Sequence, residues 1–314
     1  METAITKYGA FEDIGLSDYF ENGALRRCIV RQEYRVTLPC GTFIPQYLDD
    51  GNRKKLLKSM TFYAGGALSS LILQQTEQVQ TSLGSLPAEM VTFYESGAVK
   101  RIFPTFGSIS AYWTESDEQA LSPTLDFDLP VCAFSGKVIN IAFYETGEPK
   151  SLTLWPGDSV FVKTPLGTMQ TRIGFCLYPD GSVRSVEPPV PAEINTPIGR
   201  IPAFDPDAIA LDGEANSLVF APNGAIESLL TCTAKVVAAD RHNKQTVHAP
   251  AFQSSFYFDD RQAVAPMKVR FSDGIVSFGR RKGPAAAVYD IDGSAFRIEP
   301  VSIAHCANIC DACE

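Results

Sequence analysis

The sequence predicts an all-β fold, an elongated antiparallel meander built of repeated hairpins. Three observations carry this. A glycine-centred motif recurs eight times, a second glycine motif interleaves with it, and glycine, proline and β-branched residues interrupt almost every stretch that could form a helix. The chain is 45% hydrophobic and 20% charged, which supplies enough apolar surface for a substantial core.

The first motif reads "YFENGALRRC", "FYAGGALSSL", "FYESGAVKRI", "FYETGEPKSL", "LYPDGSVRSV", "FAPNGAIESL", a worn "RFSDGIVSFG" and "YDIDGSAFRI". Its glycines are Gly23, Gly66, Gly97, Gly147, Gly181, Gly224, Gly274 and Gly293, mostly preceded by Asn, Asp, Ser or Thr. Asn-Gly and Asp-Gly between apolar runs predict two-residue hairpins of type I′, in which both central residues take positive φ. Apolar residues stand two and five positions after the glycine, as Val99 and Ile102 do. Strict alternation would put these on opposite faces, so a bulge or strand bend is expected between them.

The second motif is "TLPCGTF", "TSLGSL", "TFGSIS", "TPLGTM" and "TPIGRI", with glycines Gly41, Gly84, Gly107, Gly167 and Gly199. Proline at Pro39, Pro165 and Pro197 suits turns, where its missing N–H is not needed. Four of these glycines lie 18 to 20 residues after a first-motif glycine, so a unit holds about four strands. Intervals between first-motif glycines range from 19 to 50 residues, as loop insertions would make them. Within the insertion "WTESDEQALSPTLDFDLP", Glu115 to Leu121 is the one helical candidate. The alternative architecture is a β-propeller, whose blades are of similar mean length, but uneven spacing opposes circular closure. Residues 1–304 form the repeat domain and residues 305–314 a cysteine-rich tail.

"YFENGALRR", "FYESGAVKRI" and "FYETGEPKSL" resemble the bacterial variant of the MORN repeat: an aromatic pair, a polar turn residue, glycine, and a short apolar and basic tail. The resemblance covers about a third of the chain in short islands. It implies successive hairpins that each bury an apolar face against the next. The further glycines and the tryptophan of the eukaryotic repeat are not consistently present, so that family's lipid-binding roles carry over weakly.

A formal charge of −9 disfavours nucleic acid and anionic membrane surfaces as partners. The first twenty residues have no basic and apolar leader pattern, so a cytoplasmic location is expected, in which eight cysteines read as free thiols or metal ligands. Cys28, Cys40, Cys132, Cys176 and Cys232 sit in apolar strand contexts and are expected in the core. The sequence contains no H-E-x-x-H, G-x-S-x-G, Walker or G-x-G-x-x-G motif. Acid pairs at Asp126 and Asp128, and at Asp205, Asp207, Asp212 and Glu214, have the composition for acid/base work but read as turn-capping or solvated groups. Arg280, Arg281 and Lys282 between two glycines form a candidate anion-binding turn, or a charged tip protecting a sheet edge. Tyr63, Tyr94, Tyr144 and Tyr178 recur at one repeat position, as packing between hairpins requires.

The strongest chemical signal is the C-terminal "HCANICDACE". Cys306, Cys310 and Cys313 form a thiolate-rich set suited to zinc or an iron–sulfur cluster, the fourth donor being either His305 or a group from another protein. The C-x3-C-x2-C spacing also resembles the radical SAM triad, whose place in an early loop of a β/α barrel has no counterpart here. The expected function is a non-enzymatic repeat scaffold that binds a protein partner. The alternatives are a redox or metal-cluster carrier and a carbohydrate-active protein using Asp126 and Asp128.

Overall fold

The structure, a computed structural model, describes residues 2–51, 53–208, 216–254, 262–281 and 283–301. It is all-β, and the chain divides into two compact units, residues 1–156 with 177–182 and residues 157–176 with 183–314. The first part of the chain forms β1 (Glu2–Thr6), β2 (Gly9–Tyr19), β3 (Leu25–Val30), β4 (Val36–Leu38), β5 (Gly41–Phe43), β6 (Met60–Phe62), β7 (Leu68–Thr81), β8 (Gly84–Phe93), β9 (Val99–Phe103), α1 (Glu115–Leu121), β10 (Leu125–Leu129), β11 (Cys132–Gly136), β12 (Val138–Phe143) and β13 (Pro149–Leu154). There follow β14 (Ser159–Thr164), β15 (Gly167–Arg172), β16 (Gly174–Leu177), β17 (Val183–Val186), β18 (Ala192–Thr196), β19 (Gly199–Ala203), β20 (Leu218–Phe220), β21 (Ile226–Thr231), β22 (Ala234–Ala239), β23 (Gln245–His248), β24 (Ala251–Ser254), β25 (Gln262–Ala265), β26 (Met267–Ser272), β27 (Ile275–Arg280), β28 (Ala285–Asp290) and β29 (Ala295–Pro300).

Sixteen strands share one sheet, in the order β1-β2-β3-β6-β7-β8-β9-β12-β13-β16-β17-β20-β21-β26-β27-β28. Its strand order never departs from chain order, as a meander demands, and no barrel closes among the described residues. Successive hairpins share this open sheet instead of forming separate blades, which excludes the propeller alternative. The helix expected over Glu115–Leu121 forms there, capped reciprocally by Thr114 and Asp117.

The first six glycine turns differ from the expected two-residue type. Gly97 N donates to Tyr94 O at 2.9 Å, while Tyr94 N donates to Ala98 O at 2.9 Å. The same pair of bonds closes the turns at Gly23, Gly66, Gly147, Gly181 and Gly224. This is a three-residue loop, a type I turn followed by one left-handed residue, and φ at these glycines runs from +78° to +103°. Only glycine adopts that conformation cheaply. The polar residue before it acts by its side chain: Asn22, Asp180 and Asn223 accept the N–H two residues on at 2.9 to 3.0 Å.

Among the later copies, Asp273-Gly274 makes the expected two-residue turn, with φ of +48° and +76° and Ser272 opposite Ile275. The eighth copy forms no hairpin. Its β29 pairs with β22 instead, Ile298 opposite Val236. The expected bulge is present. Thr92 faces Arg101 and Phe93 faces Val99, leaving Lys100 as the extra residue. Arg26, Ser69, Lys150 and Glu227 are bulged in the same way, so the residue five positions after the glycine (Leu71, Ile102, Leu152 or Leu229) reaches the core.

Four of the five second-motif segments close the hairpins β4–β5, β7–β8, β14–β15 and β18–β19. Thr81, Thr164 and Thr196 each accept the N–H two residues on and donate to the carbonyl of the glycine. Thr6 and Gly9 close β1–β2 identically, a copy the sequence pattern did not reveal. "TFGSIS" makes no hairpin, because Gly107 N is bound at 2.7 Å by the Glu118 carboxylate of α1. Except for β1–β2 and β7–β8, which lie in the large sheet, these hairpins form separate two-stranded sheets, so the four strands of such a unit belong to two sheets. Phe43, Phe93, Phe143, Phe175, Phe220 and Phe278 are fully buried, and the five upstream cysteines are buried as expected. No helix among the described residues is long and apolar enough to cross a membrane.

Candidate functional site

The tail residues His305, Cys306, Cys310 and Cys313 lie outside the described residues, as do Lys282, Asp212 and Glu214. Asp126 and Asp128 both project from the exposed side of β10. Arg280 ends β27 opposite Met267, and Arg281 Nη1 lies 2.9 Å from the Asp205 carboxylate. The repeated tyrosines act as packing. Tyr63, Tyr94 and Tyr144 donate to the carbonyls of Phe93, Phe143 and Leu177 at 2.8 to 2.9 Å, each reaching the residue before the next tyrosine of the series.

Two buried ionic clusters stand out, one per unit. In the first unit Arg53 clamps Glu89 with Nη1 and Nη2 at 3.0 and 2.6 Å, and Glu118 with Nε and Nη2 at 2.8 and 2.6 Å. Lys54 Nζ adds a contact of 3.1 Å to Glu89, and Phe106 N and Trp113 Nε1 complete the two carboxylates. Two cations balance two anions here. Although burial alone would raise it, Glu89 is held below the ordinary carboxylate range by Arg53 and Lys54. Saturated in this way, the cluster fixes the segments after β5 and before α1, and has no group left for a ligand.

The second unit holds the stronger candidate, of which the sequence pattern marks only Asp205 and Arg281. Glu187 and Asp205 are both completely buried. The expectation that Asp205 faces water is therefore corrected, although its Oδ1 does cap a turn by accepting Asp207 N at 3.0 Å. Glu187 immediately follows β17, and its backbone is fixed: Arg172 N donates to its carbonyl, and Thr171 Oγ1 bonds both its N–H and its carbonyl. The side chain gathers three segments. Ser217 N donates to Oε2 at 2.6 Å, Ser217 Oγ lies 2.9 Å from Oε1, and Asp205 N approaches Oε1 at 3.4 Å.

Around these acids stand Arg172 and Arg281. Arg172 Nη2 donates to the carbonyls of Asp205 at 2.7 Å and Pro206 at 3.4 Å, and lies 4.0 Å from Glu187 Oε1. Its Nε is buried without a partner. Arg281 meets Asp205 Oδ2 as an ion pair outside hydrogen-bond alignment. Burial pushes Glu187 up to about 7, outweighing Ser217 and Arg172, and it raises Asp205 despite Arg281. Ile173, next to Arg172, holds a φ of +65°, a left-handed conformation that costs a β-branched residue about 1–3 kcal/mol. Strain and two perturbed acids thus coincide.

A sequence signal for this cluster did exist. In the six copies that share the three-residue turn, the residue six places after the glycine is Ile29, Ile72, Phe103, Thr153, Glu187 or Leu230, so among them one charged group stands in a slot otherwise filled by uncharged side chains. The slot is structurally equivalent across three copies, because Ile72, Glu187 and Leu230 all accept by their carbonyl from the residue five places after a second-motif glycine.

At the turns of the first unit lies a cleft of about 250 Å³ lined by Pro39, Cys40, Thr81, Val99, Phe143 and Gly147, among others. Bulged basic residues stand over the turn aromatics beside it: Lys100 is 5.5 Å from the ring of Tyr94, and Lys150 is 5.8 Å from that of Tyr144. Glu95 and Glu145 project from the same turns into solvent. No group of three or more His, Cys, Asp or Glu among the described residues is placed to hold a metal ion. Comparison with known protein families, curated proteins and solved structures returned no match.

Proposed function

We propose that the chain is a non-enzymatic repeat scaffold that takes a protein partner along the turns of its first unit. The cleft at those turns is the observation that carries this reading. At about 250 Å³ it is smaller than the roughly 300–1,000 Å³ typical of small-molecule sites, and it suits an apolar side chain of a partner. Successive turns stand two strands, roughly 9.6 Å, apart and each presents an aromatic ring. Lys100, Lys150, Glu95 and Glu145 add a polar rim of alternating charge, the arrangement that selects and orients partners.

The MORN-like repeat assignment belongs to the same proposal, as does a cytoplasmic location, which the five buried, unbridged thiols favour. So does a zinc or iron–sulfur site at Cys306, Cys310, Cys313 and His305. The test is a photo-crosslinking residue at position 98, beside the cleft, and another at position 168, on the exposed start of β15. Crosslinks to one protein from position 98 and none from position 168 support the scaffold. Equal labelling at both positions, or turnover of a small molecule by the purified chain, overturns it.

A further inference from the structure

The Glu187 cluster has no part in that scaffold reading, and its geometry describes two alternatives for a single cation. Glu187 is locked at its backbone by Thr171 and Arg172, so only its carboxyl is free to change state. Arg172 Nη2 is now bound to the carbonyls of Asp205 and Pro206, and the Glu187 carboxyl is the next acceptor, 4.0 Å away. Ser217 Oγ, 2.9 Å from Oε1, serves both states, because a hydroxyl donates to a carboxylate and accepts from a carboxylic acid. Among the described residues no other cation is as well placed. Arg281, from the end of β27, is engaged by Asp205, while Asp205 and Asp207, from the segment after β19, add negative charge that disfavours a second anion.

We propose that Glu187 and Arg172 form a proton-operated latch on the segment that follows β19. With Glu187 neutral, Arg172 holds the carbonyls of Asp205 and Pro206. When Glu187 loses its proton to solvent, the buried carboxylate draws Arg172 onto itself and the carbonyls of Asp205 and Pro206 are let go, while Phe204 N stays on the Leu230 carbonyl. The charge balance is explicit: one proton leaves, and one guanidinium moves to compensate the charge it leaves behind. An apolar residue fills this slot in the copies at Gly66 and Gly224, where Ile72 and Leu230 pack without any charge, so the fold itself does not require an acid here.

Amide hydrogen exchange on the full chain, corrected for intrinsic rates, tests the latch. The probes are Asp207 N–H, bonded to the Asp205 carboxyl, and Ala208 N–H, bonded to the Asp205 carbonyl. In the wild type, protection at both should fall between pH 5 and pH 7 by up to about tenfold per pH unit, the limit for release of one proton on opening. In Glu187→Gln, which keeps the shape and stays neutral, protection should not vary with pH. Arg172→Met should show low protection at every pH, with the pH trend gone. A flat wild-type profile overturns the latch. So does a pH trend that survives Glu187→Gln and vanishes in Asp205→Asn, which would assign the titration to Asp205.

Discussion

If the tyrosines tie one hairpin to the next, removing their hydroxyls should loosen the first unit by a calculable amount. Tyr63, Tyr94 and Tyr144 each make one hydrogen bond of 2.8 to 2.9 Å to a backbone carbonyl 30 to 49 residues away. Each phenol is partly buried, and a net bond of this kind contributes about 1 kcal/mol. Tyr→Phe keeps the ring and its packing, so the change isolates the hydroxyl. Successive tyrosines stand about one module apart and use different acceptors, so the three losses should add to about 3 kcal/mol. Both tryptophans, Trp113 and Trp155, lie in the first unit, which makes their fluorescence in a urea titration a selective probe. We expect the triple variant Tyr63→Phe/Tyr94→Phe/Tyr144→Phe to lower the unfolding free energy by this amount and to broaden the transition as modules uncouple. An unfolding free energy within about 0.5 kcal/mol of wild type would refute the tyrosine linkage, since surface changes without a role produce no more than that.

Three further outcomes are expected. Glu187→Gln should stabilise the chain increasingly with pH. Because the folded value of Glu187, about 7, lies above its ordinary 4.5, the stability it contributes is full below 4.5 and lost as pH rises through 7. The gap measured by urea unfolding should therefore grow by about 3 kcal/mol from pH 4.5 to 8, and a constant gap contradicts this. Gly97→Ala should cost about 1–2 kcal/mol from backbone strain alone, because nothing lies within 4 Å of the added methyl while φ is +90°. An unchanged midpoint would show that the turn relaxes freely. Metal analysis of anaerobically purified chain with and without residues 305–314 should find zinc or iron in the longer form alone, and equal content in both would remove the tail as the ligand set.

Much of the fold was legible because it depends on local chemistry. Glycine at Gly97 and its equivalents marked the turns, and the conflicting parity of Val99 and Ile102 disclosed the bulge at Lys100. The turn type was not legible, since Asn-Gly and Asp-Gly serve both the expected two-residue turn and the three-residue turn observed, in which Asn22 works through its side chain. Long-range choices were also hidden. "TFGSIS" matches its sister segments but is captured by Glu118, and the Gly293 copy loses its partner strand to β22. Glu187 stands alone in its stretch of the sequence, with no second acid within five residues on either side to mark it as a site. Its partners Arg172, Asp205 and Ser217 lie 15, 18 and 30 residues away and meet only when hairpins stack.

The scaffold account meets its most direct test in the affinity of the partner captured at position 98 for wild type and for Lys100→Glu/Lys150→Glu. These residues cover exposed ring faces without entering the core, so the double variant should fold like the wild type. The account predicts binding weakened at least about tenfold, mainly through slower association, with the difference shrinking as salt is raised. Equal affinity at all salt concentrations would contradict a binding face along these turns.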